Sequence, residues 1–216
     1  AQPNGISVQE VLEKALSTLL RDEVKVVGAG RTDAGVHARM MIAHFDLSSL
    51  INVEQLAYKL NRLLPRDISV TEIYPVDGDL HARFSATSRT YHYYIHCSKN
   101  PFLQQYSYEM NYELDFDKMN EAAQYLLGTK DFRCFCKSGS DVRTTICTIT
   151  EAIWYQVTPP NDNAGGVSDC QWCFVITANR FLRNMVRAVV GTLVDVGRGR
   201  LTLEEFMQVV DEGKRS

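Results

Sequence analysis

The chain has 216 residues, 45% of them apolar and 23% charged, with a formal net charge of −3. A chain of this size buries a sizeable core, and its apolar content excludes a disordered chain. No run approaches the ~18 apolar residues of a membrane span, and the net charge gives no global sign of a nucleic-acid partner.

Taken in chain order, the elements begin with a capping box, Ser7-Val-Gln-Glu10. Val8, Val11, Leu12, Ala15, Leu16 and Leu19 then keep helical spacing, which predicts an amphipathic helix over 8–20. Val24 to Val27 reads as a short β-branched strand, Gly28 to Gly35 as a glycine-rich turn, and His37 to Phe45 as a second strand. Val53, Leu56, Ala57, Leu60 and Leu63 mark another helix, stopped by Pro65. Strands follow at Ile68 to Tyr74, Thr90 to Cys97 and Tyr106 to Met110. A helix over Lys118 to Leu127 stops at Gly128. Residues 146–157 and 171–178 read as strands, and Pro159 to Asp169 between them as a loop. Asn184 to Val196 is a very apolar helix stopped by Gly197, and a second capping box, Thr202-Leu-Glu-Glu205, opens a last helix to about Asp211. The recurring order of helices and strands predicts an α+β fold in two related halves, 1–110 and 111–216. The sheet is expected to be largely antiparallel, with helices on one side.

Six cysteines sit at 97, 134, 136, 147, 170 and 173. Without a signal peptide or a short, loop-rich chain they point to a reducing cytoplasm. Cys134-x-Cys136 and Cys170-x-x-Cys173 have the residue types of a four-thiolate zinc site. The strand pattern of 170–177 and the lack of a second C-x-x-C favour reduced cysteines packed in strands instead.

The most informative stretch is Gly28-Ala-Gly-Arg-Thr-Asp-Ala-Gly-Val-His-Ala38. It fails as a dinucleotide fingerprint, because Asp33 stands where the last glycine belongs and a strand pattern follows instead of a helix. It fails as a P-loop, because no Gly-Lys-Ser/Thr follows. Glycines let such a turn adopt positive φ and approach a large ligand closely. An ionised carboxylate held in that turn, Asp33, can act as nucleophile or base, with Arg31 beside it. Taken alone, the turn fits equally well an Arg–Asp surface pair in an Asx-turn.

The longer string resembles the catalytic signature of the tRNA pseudouridine synthase A (TruA) family. Other segments resemble the family in the same order. These are Gln2-Pro3 with Ser7-Val-Gln9, and His81-Ala-Arg-Phe-Ser-Ala86 with Ser88-Arg-Thr-Tyr-His-Tyr93. Asp131-Phe132 with Phe135, and Ala178-Asn-Arg-Phe-Leu-Arg-Asn-Met-Val-Arg187 with Gly191 and Gly197, complete the set. The resemblance runs from residue 2 to about 213. The family also has an opening strand with Tyr-Asp-Gly and a closing strand with an Ala-Pro-Ala-x-Gly-Leu-like motif. Neither is in these 216 residues, so the expectation is a family core lacking an edge strand at each end.

The resemblance implies a pseudouridine synthase fold, with two ferredoxin-like halves around a central cleft. It implies isomerisation of uridine to pseudouridine in the anticodon stem-loop of tRNA, at positions 38–40, with the target base flipped out of its stack. No redox step or external reactant is needed, so no cofactor or metal is expected. Asp33 matches the family's nucleophile, with attack on the ribose C1′, attack on the uracil C6 and abstraction of a sugar proton all open to it. Tyr91 matches its active-site tyrosine, able to stack on uracil and move a proton. Arg187 matches an arginine expected to pair with Asp33. Arg31 is the expected wedge or phosphate contact, and Arg143 and Arg183 are further substrate-binding candidates. A cytoplasmic homodimer gripping tRNA, with no membrane, is implied as well. The rival reading is a tRNA-binding or chaperone module without turnover. The charge sum hides an uneven distribution. Over residues 180–200 five arginines face Asp195 alone, while acidic residues gather at Glu109 to Asp117 and Glu204 to Glu212.

Overall fold

A computed structural model describes residues 5–47, 51–137, 139, 142–157 and 170–213. Gln2-Pro3 and the loop expected over 159–169 lie outside the described residues. The chain divides into two compact units, Ala1–Thr87 and Ser88–Ser216, and each carries a core of its own.

In the first unit, helices α1 (Val8–Leu20) and α2 (Val53–Leu63) pack together with a two-stranded antiparallel ribbon of β1 (Val27–Gly28) and β2 (Ala43–His44). Ser7 caps α1 by accepting the Glu10 N–H, and Asn52 caps α2 by accepting that of Gln55. Ala15, Leu16, Val24, Val26, Leu56, Leu60 and Leu64 form the buried core. Both strands are shorter than the sequence predicts, and ahead of β1 the reason is that side chains take the backbone groups a ladder would use. The Val24 N–H donates to Ser17 Oγ at 3.0 Å and the Val26 N–H to Glu13 Oε1 at 3.0 Å, so this segment is stitched to α1. That contact, more than the further bond from Gln9, holds the Glu13 carboxyl below its usual range. The strand expected over 68–74 is absent for a similar reason. Asn61 on α2 both accepts from the Val70 N–H and donates to its carbonyl, each at 2.7 Å. Ile68, Val70 and Ile73 still pack on the core.

The second unit holds a five-stranded sheet in the order β4-β3-β7-β6-β5. Its strands are β3 (Arg89–His96), β4 (Tyr108–Glu109), β5 (Gly128–Asp131), β6 (Ile146–Gln156) and β7 (Gln171–Ala178). All neighbours are antiparallel except β3 and β4, which run parallel. Helices α3 (Phe116–Gln124), α4 (Met185–Gly197) and α5 (Leu203–Glu212) pack with the sheet around Met119, Phe132, Trp154, Phe174, Met185 and Phe206. These observations establish the α+β class. β5 was not foreseen: Gly128 does not merely end the preceding helix but opens this strand at φ 89°. The Thr202/Glu205 capping box closes in both directions, at 3.2 and 2.8 Å.

Candidate active site

The first unit carries Arg31 and Asp33 on an exposed loop between β1 and β2. The loop is pinned at its base by the Ala29 N–H, which donates to the Ile42 carbonyl at 2.8 Å. At its tip the Val36 N–H donates to the Asp33 carbonyl at 3.3 Å, closing a turn whose third residue, Gly35, sits at φ 78°. Among the three glycines of the motif only Gly35 has the positive φ that excludes other residues. Asp33 itself is exposed in that turn.

The His81-Ala-Arg-Phe-Ser motif of the same unit is a histidine-pinned loop. His81 Nδ1 accepts the N–H groups of Arg83 and Phe84 at 3.2 and 3.3 Å. The Ala82 N–H reaches His44 Nδ1 at 3.1 Å, and the two imidazoles meet edge to face at 4.7 Å. His44 lies opposite Val27, next to the point where the Asp33 loop departs. In the second unit His96 is buried against Ser107 at 2.9 Å. These three histidines thus serve the fold, and among the described residues no group of three or more His, Cys, Asp or Glu is placed to hold a metal ion.

The second unit carries Tyr91, Arg143, Arg183 and Arg187. Tyr91 lies on the face of β3 that packs toward the core, in register with Ile176 of β7, and is partly buried. Its ring meets Phe181 edge to face at 5.0 Å. Phe181 has a stronger claim on the site than its place inside the Arg-Phe-Leu-Arg string suggests, because it fixes the plane of the Tyr91 ring. Two residues along β3, Tyr93 shares that face. Burial, then the neighbouring Tyr108, push its phenol up, and Arg187 pulls it back down. Arg187 is thus near enough for its charge to act on Tyr93.

Arg183 and Arg187 are exposed and flank the start of α4. The turn between them depends on Asn184 at φ 67°, a left-handed residue that asparagine tolerates. Lys137 N–H donates to the Arg183 carbonyl at 3.0 Å and steadies the approach. Asn179 anchors the segment upstream. It exchanges bonds with Thr148 at 2.9 and 3.0 Å, and Arg89 donates to its carbonyl at 2.9 Å. Arg143 is exposed in the segment before β6. Arg198, counted by sequence among the basic residues, instead stacks on Tyr112 at 3.7 Å.

Comparison with protein families matches residues 1–85 and 122–216 to the family described as tRNA pseudouridine synthase. The chain is 53% identical over 214 residues to a tRNA pseudouridine synthase A of Bacteroides thetaiotaomicron, covering 99% of this chain and 77% of that protein. It is 52% identical to the one from Bacteroides fragilis, covering 99% and 81%. The Bacillus subtilis protein of the same name is 39% identical, covering 99% and 84%. No described helix is long and apolar enough to cross a membrane. Identity at this level along nearly the whole chain, with the Asp33 loop, the Tyr91 strand and the Arg187 helix all inside it, places the protein in the tRNA pseudouridine synthase family, enzymes that isomerise uridine to pseudouridine.

Proposed function

We propose that the chain isomerises uridine to pseudouridine in the anticodon stem-loop of tRNA, at positions 38–40, with Asp33 as nucleophile. The C1′–N1 glycosidic bond breaks, the uracil turns, and a C1′–C5 bond forms while C5 loses its proton and N1 gains one. The exchange is internally balanced and needs no external electron or group donor. The observation that carries the reading is an exposed aspartate at the tip of a turn in a chain of this family. Exposure matters, because a stem base must be flipped out before a carboxylate can reach it.

Tyr91 is the residue assigned to stack on the flipped uracil and to move a proton. Its partly buried ring, braced by Phe181, supports that role, because a fixed aromatic plane stacks at low entropic cost. Arg187 supplies a cation for the catalytic carboxylate. Arg31, Arg143 and Arg183, all exposed, are assigned to the phosphates, where most of the affinity of a protein for RNA arises. Two ferredoxin-like halves around a cleft and a cytoplasmic homodimer complete the assignment. Exposed Met40, Met41 and Ile42 offer apolar surface that such an assembly would cover.

The test is to treat an unmodified tRNA transcript with the full-length protein and map the pseudouridines formed. Product confined to positions 38–40 supports the reading. Product elsewhere moves the target site, and tRNA binding without product leaves a binding module.

A further inference from the structure

The structure pairs Cys170 with a residue that its sequence motif does not contain. Cys97 and Cys170 continue the β3–β7 ladder one step past His96 and Gln171, and the Cys97 N–H donates to the Cys170 carbonyl at 3.0 Å. Their sulfurs are 2.9 Å apart, with the Cys97 thiol directed at Cys170. Cys173 instead lies beneath His92 at 3.7 Å, so the C-x-x-C motif does not act as a unit. Residues directly opposite on antiparallel strands have Cα atoms about 4.5–5.5 Å apart, inside the range a disulfide requires. Both cysteines are partly exposed, which leaves the pair within reach of a small oxidant.

We propose that Cys97 and Cys170 form a thiol–disulfide exchange site that takes a low-molecular-weight disulfide such as oxidised glutathione and closes to a reversible cross-strand bond. The Cys170 thiolate attacks one sulfur of glutathione disulfide and expels one glutathione thiolate, leaving a mixed disulfide. Cys97 gives up its proton and displaces the second glutathione. One protein disulfide and two molecules of reduced glutathione result, and reduction by a dithiol reverses the sequence.

The order of attack follows from the pair itself. Burial, then the hydrogen bond and charge of Cys170, push the Cys97 thiol up to about 12, so Cys97 is the second sulfur to act. Once Cys170 is in the mixed disulfide, its share of that upward push is gone. The bond would clip together the strand ends that bracket residues 98–169. It lies six residues along β3 from Tyr91, about 20 Å, and so leaves the tyrosine untouched.

The experiment is to incubate the folded protein with oxidised glutathione, quench in acid, alkylate under denaturing conditions and record intact mass and peptides. The expected result is four alkylated cysteines in place of six, a peptide crosslinked between positions 97 and 170, and full reversal by dithiothreitol. The oxidised protein should melt higher by roughly 5 °C, because the bond closes a long loop. Cys97→Ser should abolish the crosslink and the shift, while stopping at a mixed disulfide on Cys170. Six alkylated cysteines after oxidation, a bond between any other pair, or a persistent glutathione adduct on the unsubstituted protein would overturn the proposal.

Discussion

The Asp131 carboxylate gathers the turn between β5 and β6. It accepts the Thr145 hydroxyl at 2.6 Å, the Arg133 N–H at 3.0 Å and the Arg133 guanidinium Nε at 2.9 Å. Thr145, followed by Arg133, holds its carboxyl below the usual carboxylate value of about 3.9. A depressed folded pKa adds stability that is complete above the unfolded value and is lost as pH falls through the folded one. Asp131→Asn should therefore destabilise the protein at pH 7 and flatten the loss of stability below about pH 4. Urea titrations from pH 7 to 2 check this, and a parallel acid limb in both proteins would contradict it. In the sequence, Asp131 was visible only as part of a family-like segment, since its partners lie 2 and 14 positions away. Arg31 and Asp33 were legible because one short turn holds both. Phe181 and Asn179 were not, because their roles depend on strands far away in the chain. The reading of the cysteines as reduced residues packed in strands agrees with the structure, where all six are free and residues three apart on a strand point to opposite faces.

At the scale of elements, the helices were legible and the short strands were not. α1, α2, α4 and α5 follow their apolar spacing to within a residue or two, because each buries one continuous face. The segments at 24–27 and 68–74 have the composition of strands, but Ser17, Glu13 and Asn61 claim their backbone groups. No local pattern announces such long-range side-chain bonds. Gly197 shows a role that spacing misassigns. It is the last residue of α4, and a Cβ there would overlap the thioether of fully buried Met119. Its carbonyl also accepts the Asp115 N–H at 2.9 Å, drawing α3 and α4 together. Gly197→Ala should destabilise the protein by about 1–3 kcal/mol, the cost of overpacking a filled core. Chemical denaturation measures it. A gain in stability, as helix propensity alone would give, would contradict the packing account.

For the whole molecule, the two units have unequal cores. The second is built on the long β3, β7 and β6 strands paired side by side, and both tryptophans belong to it. The first relies on two helices, a two-residue ribbon and side-chain stitches. Native-state hydrogen exchange should therefore protect β6 and β7 most strongly, with residues 24–45 exchanging faster. Equal protection in the two units would contradict this. Charge behaves in the same divided way. A net −3 conceals exposed Arg183 and Arg187 at the head of α4, so tRNA affinity should be local and salt-sensitive. The net figure alone pointed away from RNA, because a sum carries no positions.

The central claim concerns Asp33, and the direct measurement is tritium release from tRNA labelled at uridine C5. Asp33→Asn keeps the shape of an exposed side chain, so folding and tRNA binding should persist. Release should fall by roughly 10³-fold or more. Release at the rate of the unsubstituted protein would contradict the assignment of Asp33 as nucleophile.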